Sequence, residues 1–230
     1  MRHDGAVQRL IVASLALVLM APVAAAEDPV AGELVAEDPV AEEPVFEYSI
    51  RRVTSKHLPH SWRPGCPLPP RRLRLVTVSH WGFDGEAKRG RLVVRAAQAK
   101  PVVRVMRRLF KAGFPIKRMR PVDRYGGSDR RSMDANNTSA FNCRRATGSS
   151  RWSEHAYGYA IDINPVQNPY VSGSTVLPPR GRKFVDRSRK HPGMIKRRGP
   201  VVRAFRNIGW EWGGAWSSVK DYQHFSKTGR

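Results

Sequence analysis

Residues 150–165, SRWSEHAYGYAIDINP, hold a histidine and an aspartate with six residues between them. If this segment were one extended strand, His155 and Asp162 would start about 23 Å apart, and their odd offset would point them to opposite faces. The two side chains can meet only if the chain reverses between them. Gly158 permits that reversal because glycine tolerates backbone angles that other residues avoid. The segment is therefore either an ordinary loop that enters a strand or one half of a metal site.

A third metal ligand can come from the C-terminal stretch DYQHF, residues 221–225. His224 would complete a set of two imidazoles and one carboxylate, which leaves the fourth position of a catalytic zinc site for water. Asp221 is then a candidate general base, because zinc lowers the pKa of its water to about 7 and a nearby carboxylate can take the proton. Taken alone, the same residues are also compatible with loops that bind no metal.

Two stretches, SEHAYGYAIDINP at 153–165 and WGGAW…KDYQHF at 212–225, together resemble the zinc D-alanyl-D-alanine carboxypeptidase and peptidoglycan endopeptidase family, the VanY-like metallopeptidases. The resemblance runs from about Ser61 to Phe225 and includes SWRPGCPLP, FNCR and DINPVQNPY. It implies that His155, Asp162 and His224 bind Zn2+ and that Asp221 is the catalytic base.

The resemblance also implies further cleft residues. The FNCR stretch places a catalytic arginine at Arg144, and a guanidinium can hold a carboxylate through two hydrogen bonds or stabilise an oxyanion. Ser153 matches the serine two residues before the first ligand and is a candidate substrate contact, with a plain turn role as the alternative. Trp212 and Trp216 are candidates for lining the cleft, with a place in the core as the alternative. The sequence departs from the family at Ser226, where an acid is common.

The N-terminal 26 residues are typical of a secretory signal peptide. Arg2 and Arg9 bracket a polar start, an apolar run follows, and small residues end it at Ala26; an uncleaved anchor is the alternative. Residues 27–47 are acidic, contain proline and repeat the letters EDPVA, which predicts an extended linker. We assign residues 48–230 to the peptidase domain.

Two cysteines, Cys66 and Cys143, are the only ones in the chain. In an exported protein an even pair predicts a disulfide, and two unrelated free thiols are the alternative.

From residue 48 onward the chain carries 39 basic and ten acidic side chains, a formal charge of +29. Such a charge indicates either an anionic partner or a surface that only maintains solubility. For a protein secreted to the envelope of a bacterium, anionic cell-wall polymers are candidate partners in addition to peptidoglycan peptides. We expect no specific nucleic-acid binding and no membrane span in the mature chain.

The hydrophobic pattern predicts an α+β fold. Strands are predicted at 73–83, 90–94, 114–123, 138–144, 158–164 and 221–226, helices from residue 96 to Gly113 and from Pro200 to Gly209, and a polar loop at 124–137. Because strands and helices do not alternate regularly, we expect a single domain with a central antiparallel sheet flanked by helices and a zinc cleft on the sheet.

Together these features predict an exported zinc metallopeptidase that hydrolyses an amide bond in peptidoglycan stem peptides by zinc-activated water. A D-Ala-D-Ala carboxypeptidase and a stem-peptide endopeptidase share these residues, and the depth of the pocket would separate them. The alternative is a catalytically silent cell-wall-binding module of the same fold. A nucleic-acid binder would rest on charge alone.

Overall fold

The computed structural model describes residues 44–229, so the predicted signal peptide and most of the predicted linker lie outside the described residues. The strands are β1 (Tyr48–Arg52), β2 (Leu73–Trp81), β3 (Ala87–Arg95), β4 (Arg118–Met119), β5 (Asn137–Thr138), β6 (Ala160–Asp162), β7 (Tyr170–Ser172), β8 (Thr175–Leu177), β9 (Glu211–Trp212), β10 (Lys220–Asp221) and β11 (His224–Ser226). The helices are α1 (Ala99–Lys111), α2 (Asp129–Asp134) and α3 (Pro200–Arg206).

The first sheet is an antiparallel meander of β1, β2 and β3, in which β2 is the central strand. Alternate residues of β2 and β3, among them Val76 and Leu92, are buried in the main hydrophobic core. Helix α1 packs against β2 through an apolar stripe that includes Met106 and Leu109. Just beyond α1, Gly113 adopts a positive φ of 62°, as glycine does at many helix ends. The strands predicted at 73–83 and 90–94 and the helix predicted from residue 96 are thus confirmed.

The second sheet, in the order β6-β11-β9, is antiparallel and lies on the same core. In β11 the side chain of Phe225 is fully buried and stacks on Phe205 of α3, with ring centroids 4.1 Å apart. Its chain neighbour His224 therefore projects to the opposite face of the sheet, because side chains alternate along a strand. Core packing of one residue thus decides where its neighbour points.

The predicted architecture needs correction in three places. The described strands form several small sheets instead of one central sheet, including the antiparallel set β10-β7-β8 and the parallel pair β4-β5. The predicted strands at 114–123 and 138–144 shrink to the two-residue strands β4 and β5. The predicted loop at 124–137 contains α2, because the Ser128 side chain accepts a hydrogen bond from the Arg131 backbone N–H and caps the helix.

The described end of the predicted linker contacts the folded part of the chain. Residues 44–47 have no regular secondary structure, yet Phe46 lies 5.7 Å from Phe110 between ring centroids. The Glu47 carboxylate lies 2.9 Å from Arg89, and the Glu47 backbone N–H donates to the Ser79 hydroxyl. Packing therefore begins before residue 48, whereas the other predicted domain limits stay predictions.

The predicted disulfide is confirmed: Cys66 and Cys143 are bonded, with their Cα atoms 5.9 Å apart. The bond belongs to a second buried cluster on the face of the first sheet that does not contact α1, together with Leu58, Leu73 and Phe141. It ties the segment between β1 and β2 to the part of the chain that precedes His155. No helix in residues 44–229 has the length and apolar character that a membrane crossing requires.

Replacing both cysteines with serine is expected to lower the free energy of unfolding by about 4 kcal/mol, because a bond that closes a loop of this length restricts the unfolded chain. Denaturant titration of the double variant beside the oxidised wild type measures the loss. Wild-type protein that has been reduced is the matched control and should behave like the double variant. A loss below about 1 kcal/mol would show that the cluster holds without the bond.

Candidate active site

The loop that carries His155 reverses direction as the sequence predicts. A short 3-10 turn covers Glu154–Tyr157, and its first backbone N–H groups include that of His155, which donates to the Ser153 hydroxyl at 3.3 Å. Gly158 ends the turn with φ at 66°, and a Cβ atom there would lie 2.7 Å from the backbone nitrogen of Arg95. Both the backbone angle and the close approach require glycine. Strand β6 then returns the chain towards His155.

Asp162 and His224 are directly opposed residues of the antiparallel pair β6–β11, so their side chains share one face of the sheet. The Nδ1 atom of His224 lies 3.0 Å from Asp162 Oδ1, and the Nε2 atom of His155 lies 3.1 Å from Asp162 Oδ2. All three side chains are buried, and one ligand atom from each lies within 4.8 Å of the others. Within residues 44–229 this is the only such group of three potential metal ligands.

The protonation of His155 fits a metal ligand. Its Nδ1 atom lies 2.5 Å from the backbone carbonyl of Ala140, which accepts the hydrogen and leaves the lone pair on Nε2. That buried Nε2 atom forms no hydrogen bond with the described residues, although it lies next to a carboxylate oxygen of Asp162. A cation between these two electron-rich atoms would satisfy both, and nitrogen and carboxylate donors suit zinc.

Asp162 remains an anion in this environment. Burial would raise the pKa of its carboxyl, but the neighbouring imidazoles of His155 and His224 outweigh burial and hold the pKa far below its usual range. A buried carboxylate that stays ionised between two imidazoles is in the protonation state that metal binding requires.

Asp221 lies on β10, opposite Tyr170 of β7, and faces the same cleft. Its Oδ1 atom is buried without a hydrogen-bond partner among residues 44–229. Burial raises the pKa of the Asp221 carboxyl to about 6; the charge of His224 opposes the rise and that of Asp162 adds to it. A carboxylate with a raised pKa and a free acceptor oxygen has the properties of a general base.

A cleft of about 720 Å³ lies above these groups. It brings together six of the residues singled out by sequence, namely Arg144, Ser153, His155, Trp216, Asp221 and His224, while Asp162 is buried and does not line it. Its walls include the aromatic side chains of Trp152, Tyr170 and Trp216. Of these three, the motifs pointed only to Trp216.

Arg144 is held in the cleft by a residue that the sequence did not indicate. Its Nη2 atom lies 3.0 Å from Asp129 Oδ2, and both side chains are about three-quarters buried. The Nε atom of Arg144 is buried and has no hydrogen-bond partner among the described residues. No sequence motif indicated this contact, because Asp129 is the first residue of α2 and that segment was predicted to be a loop.

The prediction that Trp212 contacts substrate needs correction. Trp212 is directly opposite Phe225 in the β9–β11 pair, so the two side chains share the core face of the sheet. The Trp212 ring is 7 % exposed, and its indole N–H donates to the Tyr222 carbonyl at 2.8 Å. Trp216, beyond the turn Gly213–Ala215, reaches the cleft instead, with its ring 5.6 Å from that of His224.

Comparison with known proteins adds one finding. A family model described as D-alanyl-D-alanine carboxypeptidase matches residues 147–227, which include His155, Asp162, Asp221 and His224 but not Arg144. The matched segment is about a third of the chain, and it supports the resemblance that the sequence motifs indicated. No curated protein and no solved structure matches the chain significantly.

Proposed function

Because residues 147–227 match the D-alanyl-D-alanine carboxypeptidase family, we propose that this protein is an exported zinc peptidase that hydrolyses an amide bond in peptidoglycan stem peptides. The observation that carries the proposal is that a His-Asp-His donor set and the Asp221 carboxylate, whose Oδ1 atom has no hydrogen-bond partner among the described residues, lie at one cleft. Export is supported by the signal-like N-terminus and by the Cys66–Cys143 disulfide, since such bonds persist in oxidising compartments.

In this proposal His155, Asp162 and His224 hold the metal. Zinc, when bound, supplies a water of lowered pKa and polarises the scissile carbonyl. The hydrogen bond from His155 Nδ1 to the Ala140 carbonyl fixes the ring so that Nε2 faces the site. The burial of the three side chains keeps competing bulk water from the donor atoms.

Asp221 moves the proton. As the attacking water adds to the amide carbonyl, the carboxylate takes one of its protons at Oδ1, which has no other partner among the described residues. The same carboxyl then gives the proton to the leaving nitrogen while the C–N bond breaks. Water is thereby divided between the new carboxyl and the new amine, and Asp221 returns to its ionised form.

Arg144 and Ser153 orient the substrate. The guanidinium of Arg144 lies in the cleft, with Nη2 beside Asp129 and Nη1 donating to the Arg145 carbonyl. Its Nε–H has no partner among the described residues, so the group retains N–H donors for the substrate's terminal carboxylate or its carbonyl oxygen. The Ser153 hydroxyl accepts from the His155 backbone, which leaves its own hydrogen to donate to substrate.

Incubation of the mature chain with a defined soluble pentapeptide muropeptide tests the proposal. We expect cleavage that stops on addition of a chelator and returns with zinc, read by mass spectrometry. Release of the terminal D-Ala alone identifies a carboxypeptidase, and two shorter peptides identify an endopeptidase. The exposed-histidine variant His60→Ala is the matched control and should remain active. Absence of any chelator-sensitive cleavage would leave the catalytically silent wall-binding module.

A further inference from the structure

The exposed face of α1 and the adjoining part of α3 carry a dense group of cations. We define the α1–α3 basic face by Lys100, Arg104, Arg107, Arg108, Lys111 and Arg206, all of which are exposed. A groove of about 720 Å³ along α1 and a second of about 500 Å³ between α1 and α3 share Arg108 and Lys111 as lining residues. The two grooves therefore form one continuous surface, and neither has a lining residue in common with the catalytic cleft.

No acid neutralises this face within the part of the chain that the structure describes. None of its six cations forms an ion pair there, whereas Lys88, Arg89, Arg130, Arg144 and Arg189 each pair with an acidic side chain. Helix α1 contains no acid of its own, because no acid occurs between Glu86 and Asp123. The charge of the face is available to a ligand.

The arrangement opposes the stability of α1. Lys100 and Arg104, Arg104 and Arg108, and Arg107 and Lys111 are pairs of like charge four residues apart, and such pairs weaken a helix. A net charge of +29 from residue 48 onward would keep the protein soluble without concentrating five cations on one 13-residue helix. An anionic ligand would relieve the repulsion.

Aromatic rings beside the cations narrow the class of ligand. The guanidinium of Arg107 lies 5.2 Å from the ring centroid of Phe46 and 5.7 Å from that of Tyr48. The Tyr48 side chain is half exposed at the edge of the longer groove. A flat aromatic face can contact the apolar face of a sugar, and guanidinium groups pair with carboxylates. Rings and cations side by side therefore fit a glycan that carries carboxylates.

We propose that the α1–α3 basic face binds the peptidoglycan polymer, through the carboxylates of its stem peptides, at a distance from the bond that is cut. The choice of this polymer over other polyanions rests on the proposed function. The face would retain the enzyme on its insoluble substrate and leave the catalytic cleft open.

Binding to insoluble sacculi stripped of attached polymers tests this proposal. The variant R104Q/R107Q/R108Q/K111Q removes four cations, and glutamine preserves helix propensity. The control K56Q/R71Q/R72Q/R91Q removes four exposed cations outside the face; Arg91 lies on the side of the first sheet that faces away from α1. We expect the face variant to bind about tenfold more weakly in cosedimentation, and the control to stay within about twofold of the wild type.

Hydrolysis of the soluble pentapeptide distinguishes an effect on polymer binding from an effect on catalysis. We expect kcat/KM on that peptide to stay within about twofold for both variants, because neither touches the cleft. Equal weakening of sacculus binding in the two variants would overturn the proposal, since charge anywhere would then suffice. Tighter, face-dependent binding of duplex DNA than of sacculi at equal salt would assign the face to nucleic acid instead. If all three proteins fail to cleave the peptide, the proposed function fails, while the binding comparison still decides the face.

Discussion

Replacing Asp221 with asparagine is expected to lower kcat by about 10²–10⁴ while the protein keeps its fold and its full complement of zinc. Asparagine has the same shape, but its amide cannot take a proton from the attacking water. Asp221 is not one of the three donor residues, so metal content measured by elemental analysis should not change. Steady-state kinetics on the soluble pentapeptide gives the loss in kcat. Activity within tenfold of the wild type would remove Asp221 from the role of base.

The same substitution is expected to stabilise the metal-free protein at neutral pH. Burial raises the pKa of Asp221 to about 6 from an ordinary value of 3.8, so the folded state binds the proton more tightly than the unfolded state. Stability from this group is therefore present below about pH 4 and is lost as the pH rises to about 6. At about 1.4 kcal/mol per pKa unit, the asparagine variant should gain on the order of 3 kcal/mol above pH 6.

Urea titrations in the presence of chelator, at about pH 4 and about pH 7.5, measure this gain. It should appear at the higher pH and fall below about 1 kcal/mol at the lower one, where the carboxyl is protonated in the folded state and about half ionised in the unfolded state. Equal stability of the two proteins at the higher pH would show that the Asp221 carboxylate is solvated in the metal-free fold.

Replacing His155 with alanine is expected to abolish zinc binding and, with it, activity. Loss of a hydrogen-bond partner of a metal ligand already weakens binding by 10–100-fold, so loss of the ligand itself should weaken it by more than about 100-fold. The vacated position also leaves the Asp162 carboxylate with one imidazole fewer in a buried site. Metal titration and elemental analysis measure the affinity and the stoichiometry.

His60→Ala provides the control for the His155 variant, because His60 is exposed and is absent from the donor group. It should bind zinc and hydrolyse the pentapeptide as the wild type does. Retention of one zinc per chain by the His155 variant would mean that the metal binds elsewhere. The proposed hydrolase site would then be wrong.

Short motifs were enough to predict the donor set, because the local backbone restricts where the chain can reverse. Gly158 makes a reversal possible at one place, and the reversal leaves His155 and Asp162 close enough to share an ion. The long periodic segments were equally informative: the alternation of β2 and β3 and the stripe of α1 each extend over nine or more residues. A pattern of that length distinguishes a buried face from an exposed one.

The remaining features depended on partners distant in sequence. Trp212 and Trp216 are four residues apart in a glycine-rich stretch. Only the pairing of Trp212 with Phe225 directs the Trp212 side chain into the core. Strands of two or three residues are too short to show a period, so their faces are set by the strand opposite. The contact of Asp129 with Arg144 and that of the Ala140 carbonyl with His155 arise in the same way. Residue type and spacing thus predicted the candidate ligands and the candidate base, whereas long-range packing determined which side chains surround them.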